Sequence, residues 1–197
     1  VYSVEYRLAP EHPYPAGLDD CVAVYCELLK GRDPRSVVVF GGSAGGGLAL
    51  ATLLRARQAG QPMPGAVGLF SPWADMTRTG DSYYANEGRD PVLAWDRNIE
   101  YFASAYAGDH DRTQPLLSPV YADFHGFPPT LVITGTRDLF LSNGVRLSNA
   151  MRRDGVDARL RVWDEMFHGF DLMPIPEGEQ ARREMASFLA SFLSSSP

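Results

Sequence analysis

The chain has 197 residues, 45% hydrophobic and 21% charged, which is about one domain's worth of sequence with enough apolar side chain to bury a core. Its 18 Lys and Arg against 24 Asp and Glu give a formal charge of −6 with no basic run, which argues against nucleic-acid backbones and anionic membrane surfaces as partners. The apolar runs are of the order of Val37 to Phe40, far short of the roughly 18 residues that a membrane span needs. Cys21 and Cys26 fall within one predicted helix, too far apart along it to pair, and two thiols with no His at ligand spacing cannot build a zinc site. They read as small core residues in a reducing, cytoplasmic setting.

Val1 to Tyr6 is β-prone and predicts a strand that begins at the first residue. It runs into Arg7-Leu8-Ala9-Pro10-Glu11-His12-Pro13-Tyr14-Pro15, where the prolines forbid regular structure. From Ala16, the spacing of Leu18, Val22, Tyr25 and Leu29 predicts a helix closed by Gly31 and Pro34. Val37 to Phe40 is wholly apolar, as in a strand covered on both faces. A sharp turn over Gly41 to Gly47 leads to a helix over Leu48 to Ala59, and Ala66 to Phe70 is the next strand.

Residues 71 to 98 are rich in turn formers and read as an excursion from the core. Ile99, Phe102, Ala103 and Tyr106 follow an amphipathic helical stripe. Leu131 to Thr134 predicts a strand, Leu147, Ala150 and Met151 a helix ended by Gly155, Ala158 to Trp163 a strand, and Met185, Phe188, Leu189 and Phe192 a last helix. About five strands separated by helices make a mostly parallel α/β sheet with right-handed crossovers.

Gly41-Gly42-Ser43-Ala44-Gly45 is a G-x-S-x-G sequence directly after a strand and before a helix, the context in which that motif exposes a serine above the sheet. The Ala44 amide, at the start of the helix, faces the place where an oxyanion would develop. A glycine-rich turn that merely packs is the alternative. A serine needs a base held by an acid. His12, His110 and His125 lie in loops with no such context, whereas His168 follows the last predicted strand and Asp138 the one before it. The order Ser43, Asp138, His168 is the order of an α/β-hydrolase. The plainer alternatives are a structural loop residue for His168 and a helix N-cap for Asp138. Trp73, Phe140 and Phe167, with Met166, Tyr83, Tyr84 and Phe102, are candidates for a substrate pocket at the sheet's carboxyl edge or, equally, for core.

Tyr6-Arg7-Leu8-Ala9-Pro10-Glu11-His12-Pro13-Tyr14-Pro15-Ala16 closely resembles the segment after the fourth core strand of hormone-sensitive lipase-like (family IV) esterases of the α/β-hydrolase superfamily. Gly42-Ser43-Ala44-Gly45-Gly46, Ser71-Pro72-Trp73, Leu117-Ser118-Pro119-Val120-Tyr121-Ala122 and Pro128-Pro129 match it in the same order. The resemblance implies an α/β-hydrolase fold and hydrolysis of short-acyl carboxylic esters without metal or cofactor. Ser43 would attack, His168 would carry the proton and Asp138 would hold the imidazole. It implies a hydrolase core over residues 1–71 and 110–197, with a cap-like excursion over 72–109.

Two departures stand out. Gly42 occupies a position that is commonly acidic in that family, and no His-Gly-Gly sequence, the family's usual oxyanion loop, occurs here. The expectation is therefore an N-terminally incomplete core. Its uncovered first strand would need a preceding segment or a second copy of the chain as partner, and its turnover would be impaired. A small ester is the expected substrate. An amide, carbamate or lactone hydrolase, or a hydrolase-fold binding protein without turnover, are the alternatives.

Overall fold

The computed structural model describes residues 1–193. Turns occupy residues 9–14, and then α1 (Ala16–Leu29) buries Leu18, Tyr25 and Leu29. The strand β1 (Val38–Gly42) leads through Ser43 into α2 (Ala44–Gln58), and β2 (Ala66–Phe70) follows. A short helix α3 (Ser82–Ala85) precedes a π-helical turn, Trp95–Ile99, that runs directly into α4 (Glu100–Ala107). Then come β3 (Thr130–Gly135), α5 (Leu141–Arg153), β4 (Ala158–Trp163) and α6 (Pro176–Leu193).

The described strands form one parallel sheet in the order β1-β2-β3-β4. All five residues of β2 are buried, which explains why it is apolar throughout rather than alternating. Val67 and Leu69 join Leu50 and Leu53 of α2 and Leu147 and Met151 of α5 in one cluster. Ala66 and Phe70 join Leu131 and Ile133 of β3 and Ala181, Met185 and Phe188 of α6 in another. Successive side chains of β2 therefore feed opposite helical layers.

A third apolar cluster comes mostly from the turn-rich segment. Trp73, Met76, Tyr83, Leu93, Trp95, Ile99 and Ala103 pack with Leu117, Leu139 and Phe140. On α4 the stripe is rotated from the expected one, since Ile99, Ala103 and Ala107 are buried while Phe102 is 49% exposed.

Two expectations are corrected. Residues 1–8 form no strand; among the described residues no strand lies beside them, and a strand exists only through its hydrogen-bonded neighbour. The sheet thus has four described strands rather than five. Nor is β1 covered on both faces. Among the described strands it pairs only with β2, and Phe40 is 57% exposed. The two cysteines are half-buried and unpaired, and burial pushes the Cys21 thiol up to about 11.

Because Leu69 is fully buried between β1 and β3 and beneath two helices, Leu69→Ala should lower unfolding stability by about 2–5 kcal/mol. Urea denaturation checks this, with the midpoint falling and the slope unchanged.

Candidate functional site

All four strands point the same way, so the loops that leave β1, β2, β3 and β4 emerge together at one edge of the sheet. Ser43 leaves β1, Ser71 to Trp73 leave β2, Asp138 follows β3 and His168 follows β4. Four segments widely spaced in sequence therefore meet.

Ser43 adopts φ 52° and ψ −124°, a conformation that a non-glycine residue holds at a cost of about 1–3 kcal/mol. Four backbone hydrogen bonds over-determine it. Its N–H donates to the Phe70 carbonyl at 2.9 Å, and its carbonyl accepts from Gly46 at 3.0 Å, Gly47 at 3.3 Å and Trp73 at 2.9 Å. The turn is so tight that a Cβ on Gly41 would lie 2.3 Å from the Gly45 carbonyl oxygen. Gly42 differs: a Cβ there meets nothing closer than 3.9 Å, so the backbone does not require glycine at this position.

The Ser43 hydroxyl lies 2.8 Å from His168 Nε2, and His168 Nδ1 lies 3.1 Å from Asp138 Oδ1. Asp138 Oδ1 also accepts from the Phe140 amide at 2.8 Å, and Oδ2 accepts from Thr134 Oγ1 at 2.9 Å. The carboxylate thus makes a local turn bond of the kind expected from the N-cap alternative while also bonding His168. Ser43 is half-buried, whereas His168 is 5% exposed and Asp138 fully buried. Desolvation pushes the Asp138 carboxyl up, but the hydrogen bond and charge of His168 and the Phe140 amide outweigh it and hold its pKa below the usual value. For His168, desolvation pulls down while Asp138, Asp90 and Asp171 push up, with a net rise. An ionised carboxylate only accepts, so Nδ1 carries the proton and Nε2 is free to accept from the serine.

Ala44 is exposed beside Ser43 and, as the first residue of α2, has no carbonyl four residues back within the helix to bond. Trp73 stacks on Phe140 at 5.5 Å between ring centroids, and Phe140 meets the His168 ring edge-on at 5.1 Å. Phe140, fully buried, backs the imidazole, and half-buried Phe167 packs in the cluster around Phe170 and Ile133. A cavity of about 460 Å³ opens beside Ala44, walled by Tyr6, Leu48, Trp73, Met76 and Phe102; neither Phe140 nor Phe167 lines it. Thr134, which steadies Asp138, gave no signal in the sequence, because a strand threonine reads only as β-prone.

Among the described residues one group, Asp123, His125 and Asp154, brings metal-ligand atoms within 4.8 Å of one another, and it includes no member of the Ser43–His168–Asp138 chain. No described helix is long and apolar enough to cross a membrane.

A family model described as alpha/beta hydrolase fold matches residues 1–172. The chain belongs to this family. Its likeness within the family is to the hormone-sensitive lipase-like esterases, as the sequence motifs imply. It is 35% identical over 192 residues to an acetyl-hydrolase of Streptomyces hygroscopicus, covering 96% of this chain and 64% of that protein. It is 33% identical over 194 residues to an esterase of Acinetobacter venetianus, covering 97% and 64%. The crystal structure of an esterase from the bacterial hormone-sensitive lipase family superposes with a TM-score of 0.92 at 41% identity, over 96% of this chain and 65% of that one. The chain thus spans somewhat under two thirds of the length of these relatives.

The contrast between neighbouring glycines is testable. Gly41→Ala should destabilise the fold by at least about 2 kcal/mol, because its Cβ meets backbone that cannot step aside. Gly42→Ala should leave stability unchanged or raise it by up to about 1 kcal/mol through the unfolded state. Thermal melts of the two variants side by side provide the check.

Proposed function

We propose that this chain carries the machinery of a serine hydrolase that cleaves carboxylic esters, in which Ser43 is the nucleophile, His168 the general base and acid, and Asp138 the group that orients the imidazole. The observation that carries the reading is the unbroken hydrogen-bonded path from the Ser43 hydroxyl through His168 to buried Asp138, built at a strained turn.

In the first half-reaction Ser43 Oγ attacks the ester carbonyl carbon as His168 Nε2 takes the hydroxyl proton. The imidazolium so formed is held by Asp138 through Nδ1. The carbonyl oxygen becomes an oxyanion toward which the Ala44 amide donates, aided by the positive end of the α2 dipole. When the tetrahedral intermediate collapses, the alkoxy bond breaks and His168 returns the proton to the departing oxygen. A serine ester remains. Water then repeats the sequence: His168 removes its proton, the hydroxide attacks the acyl carbon, and the carboxylic acid leaves as Ser43 recovers its proton.

The apolar cavity beside Ala44 supports a neutral substrate. Arg7, the one cationic side chain among the described wall residues, is already bound to Asp20, whose carboxyl it lowers to about 2, so the described wall offers no free cation to a substrate carboxylate or phosphate. The acetyl-hydrolase among the relatives supports short acyl groups. Residues 72–109 act in this reading as a cap-like excursion whose Trp73, Met76 and Phe102 wall the cavity.

Ser43→Ala and His168→Ala should each lower kcat on a short-acyl aryl ester by on the order of 10⁴ or more, Ser43→Ala with the melting temperature within a few degrees. Retained turnover in either variant overturns the assignment. The base works only when neutral, and the His168 pKa is raised above its ordinary 6.5, so kcat/KM should fall with decreasing pH along a limb whose midpoint lies above 6.5. A midpoint at or below 6.5 contradicts it. Asp138→Asn can keep the bond from the Phe140 amide but loses the charge on Nδ1–H. It should therefore lower kcat by on the order of 10³ to 10⁴ at modest cost in stability, whereas a mere cap would lose about 1 kcal/mol and keep its turnover.

A further inference from the structure

A second carboxylate, Asp90, approaches the site from the turn-rich segment and is 4% exposed. No arginine or lysine neutralises it among the described ion pairs. Its oxygens are held instead by main-chain amides: Oδ1 accepts from Val92 at 2.9 Å and Leu93 at 3.2 Å, and Oδ2 accepts from Leu139 at 2.9 Å. Leu139 immediately follows Asp138. The same short loop is gripped from the same side by Asn86, whose Nδ2 donates to the carbonyls of Asp138 at 2.9 Å and Thr136 at 3.1 Å. Ser82 Oγ donates to the Leu139 carbonyl at 2.7 Å. Residues 82–90 therefore hold both the amide and the carbonyl of Leu139, and so fix the peptide on which the Asp138 side chain is mounted.

A buried carboxylate without a cationic partner is costly unless its charge is used. The negative charges of Asp138, Asp90 and Asp171 all push the His168 pKa up, and Arg182 in turn acts on Asp171. We propose that Asp90 is a positioning residue for the Ser43–His168–Asp138 chain: through the Leu139 amide it clamps the loop that carries Asp138 and keeps a carboxylate buried against that loop. Through this contact the turn-rich segment helps to set the alignment and basicity of His168 as well as walling the cavity. The inference rests on the proposed role of His168, and its two parts separate by variant. Asp90→Asn removes the charge and keeps one acceptor oxygen, which can serve either Leu139 or the Val92–Leu93 turn but not both. Asp90→Ala removes the charge and the acceptor alike.

The test titrates the His168 ring by ¹⁵N NMR in the full protein, in wild type, Asp90→Asn and Asp90→Ala, beside kinetics on a short-acyl ester. In Asp90→Asn the His168 midpoint should move to lower pH, and the acid limb of kcat/KM should move with it. In Asp90→Ala the same shift should be joined by a fall in kcat of about 10- to 100-fold with little change in KM, because Asp138 loses its registration. Asp90→Glu, which retains the charge, should restore the midpoint. A His168 midpoint that stays put in Asp90→Asn, or melting temperatures that fall while midpoint and kcat hold, overturns the proposal and leaves Asp90 as a structural cap. The NMR reading does not depend on turnover. If Ser43→Ala kept full hydrolysis, the serine hydrolase reading would fail while the Asp90 effect on His168 still stood or fell by its own measurement.

Discussion

The turn at Ser43 is the constraint on which the site depends. A chain leaving β1 must reverse into α2 within one residue, and it does so by placing a non-glycine residue at φ 52° with the Gly45 carbonyl pressed against Gly41. That conformation is unfavourable in isolation. It persists because the sheet and the β2 loop bind it from both sides, through Phe70 and Trp73. The same bonds tie the serine to the segment that walls the cavity, so the position of Ser43 and the shape of the cavity are set together.

Burial sets the second half of the design. A carboxylate as fully buried as Asp138 stays ionised only where hydrogen bonds and an imidazole compensate its lost hydration, and here Thr134, Phe140 and His168 supply them. The imidazole, nearly buried itself, gains from that carboxylate what it loses in solvation. The aromatic stack of Trp73 on Phe140 against the His168 ring limits where the imidazole can go. Position and protonation are thus fixed by the same neighbours.

Much of this was legible in the sequence. The glycine spacing around Ser43 and the apolar runs at Ala66–Phe70 and Leu131–Thr134 each report a local requirement, either close backbone approach or burial on both faces, and local requirements leave local patterns. His168 and Asp138 were legible because parallel topology brings strand ends to one edge. What the sequence did not report was partnership. Val1 to Tyr6 has strand composition but no neighbouring strand among the described residues, and β1 has a run of valines but only one partner. Phe140 and Phe167 are aromatic at the right place in the chain, yet periodicity cannot say whether a ring faces a cavity, an imidazole or a helix. Asn86, Asp90 and Thr134 act on the Asp138 loop through side-chain hydrogen bonds, those of Asn86 and Asp90 across some fifty residues, which no spacing rule encodes.

The central claim, that the strained turn and its hydrogen-bonded partners make Ser43 a nucleophile, is tested most directly by covalent capture. Reaction of the folded protein with a fluorophosphonate, followed by peptide mapping, should give one adduct per chain on Ser43 and none once the protein is unfolded or His168 is replaced. An adduct on Ser71 or Ser118, labelling that survives Ser43→Ala, or no labelling of the intact protein would contradict the account.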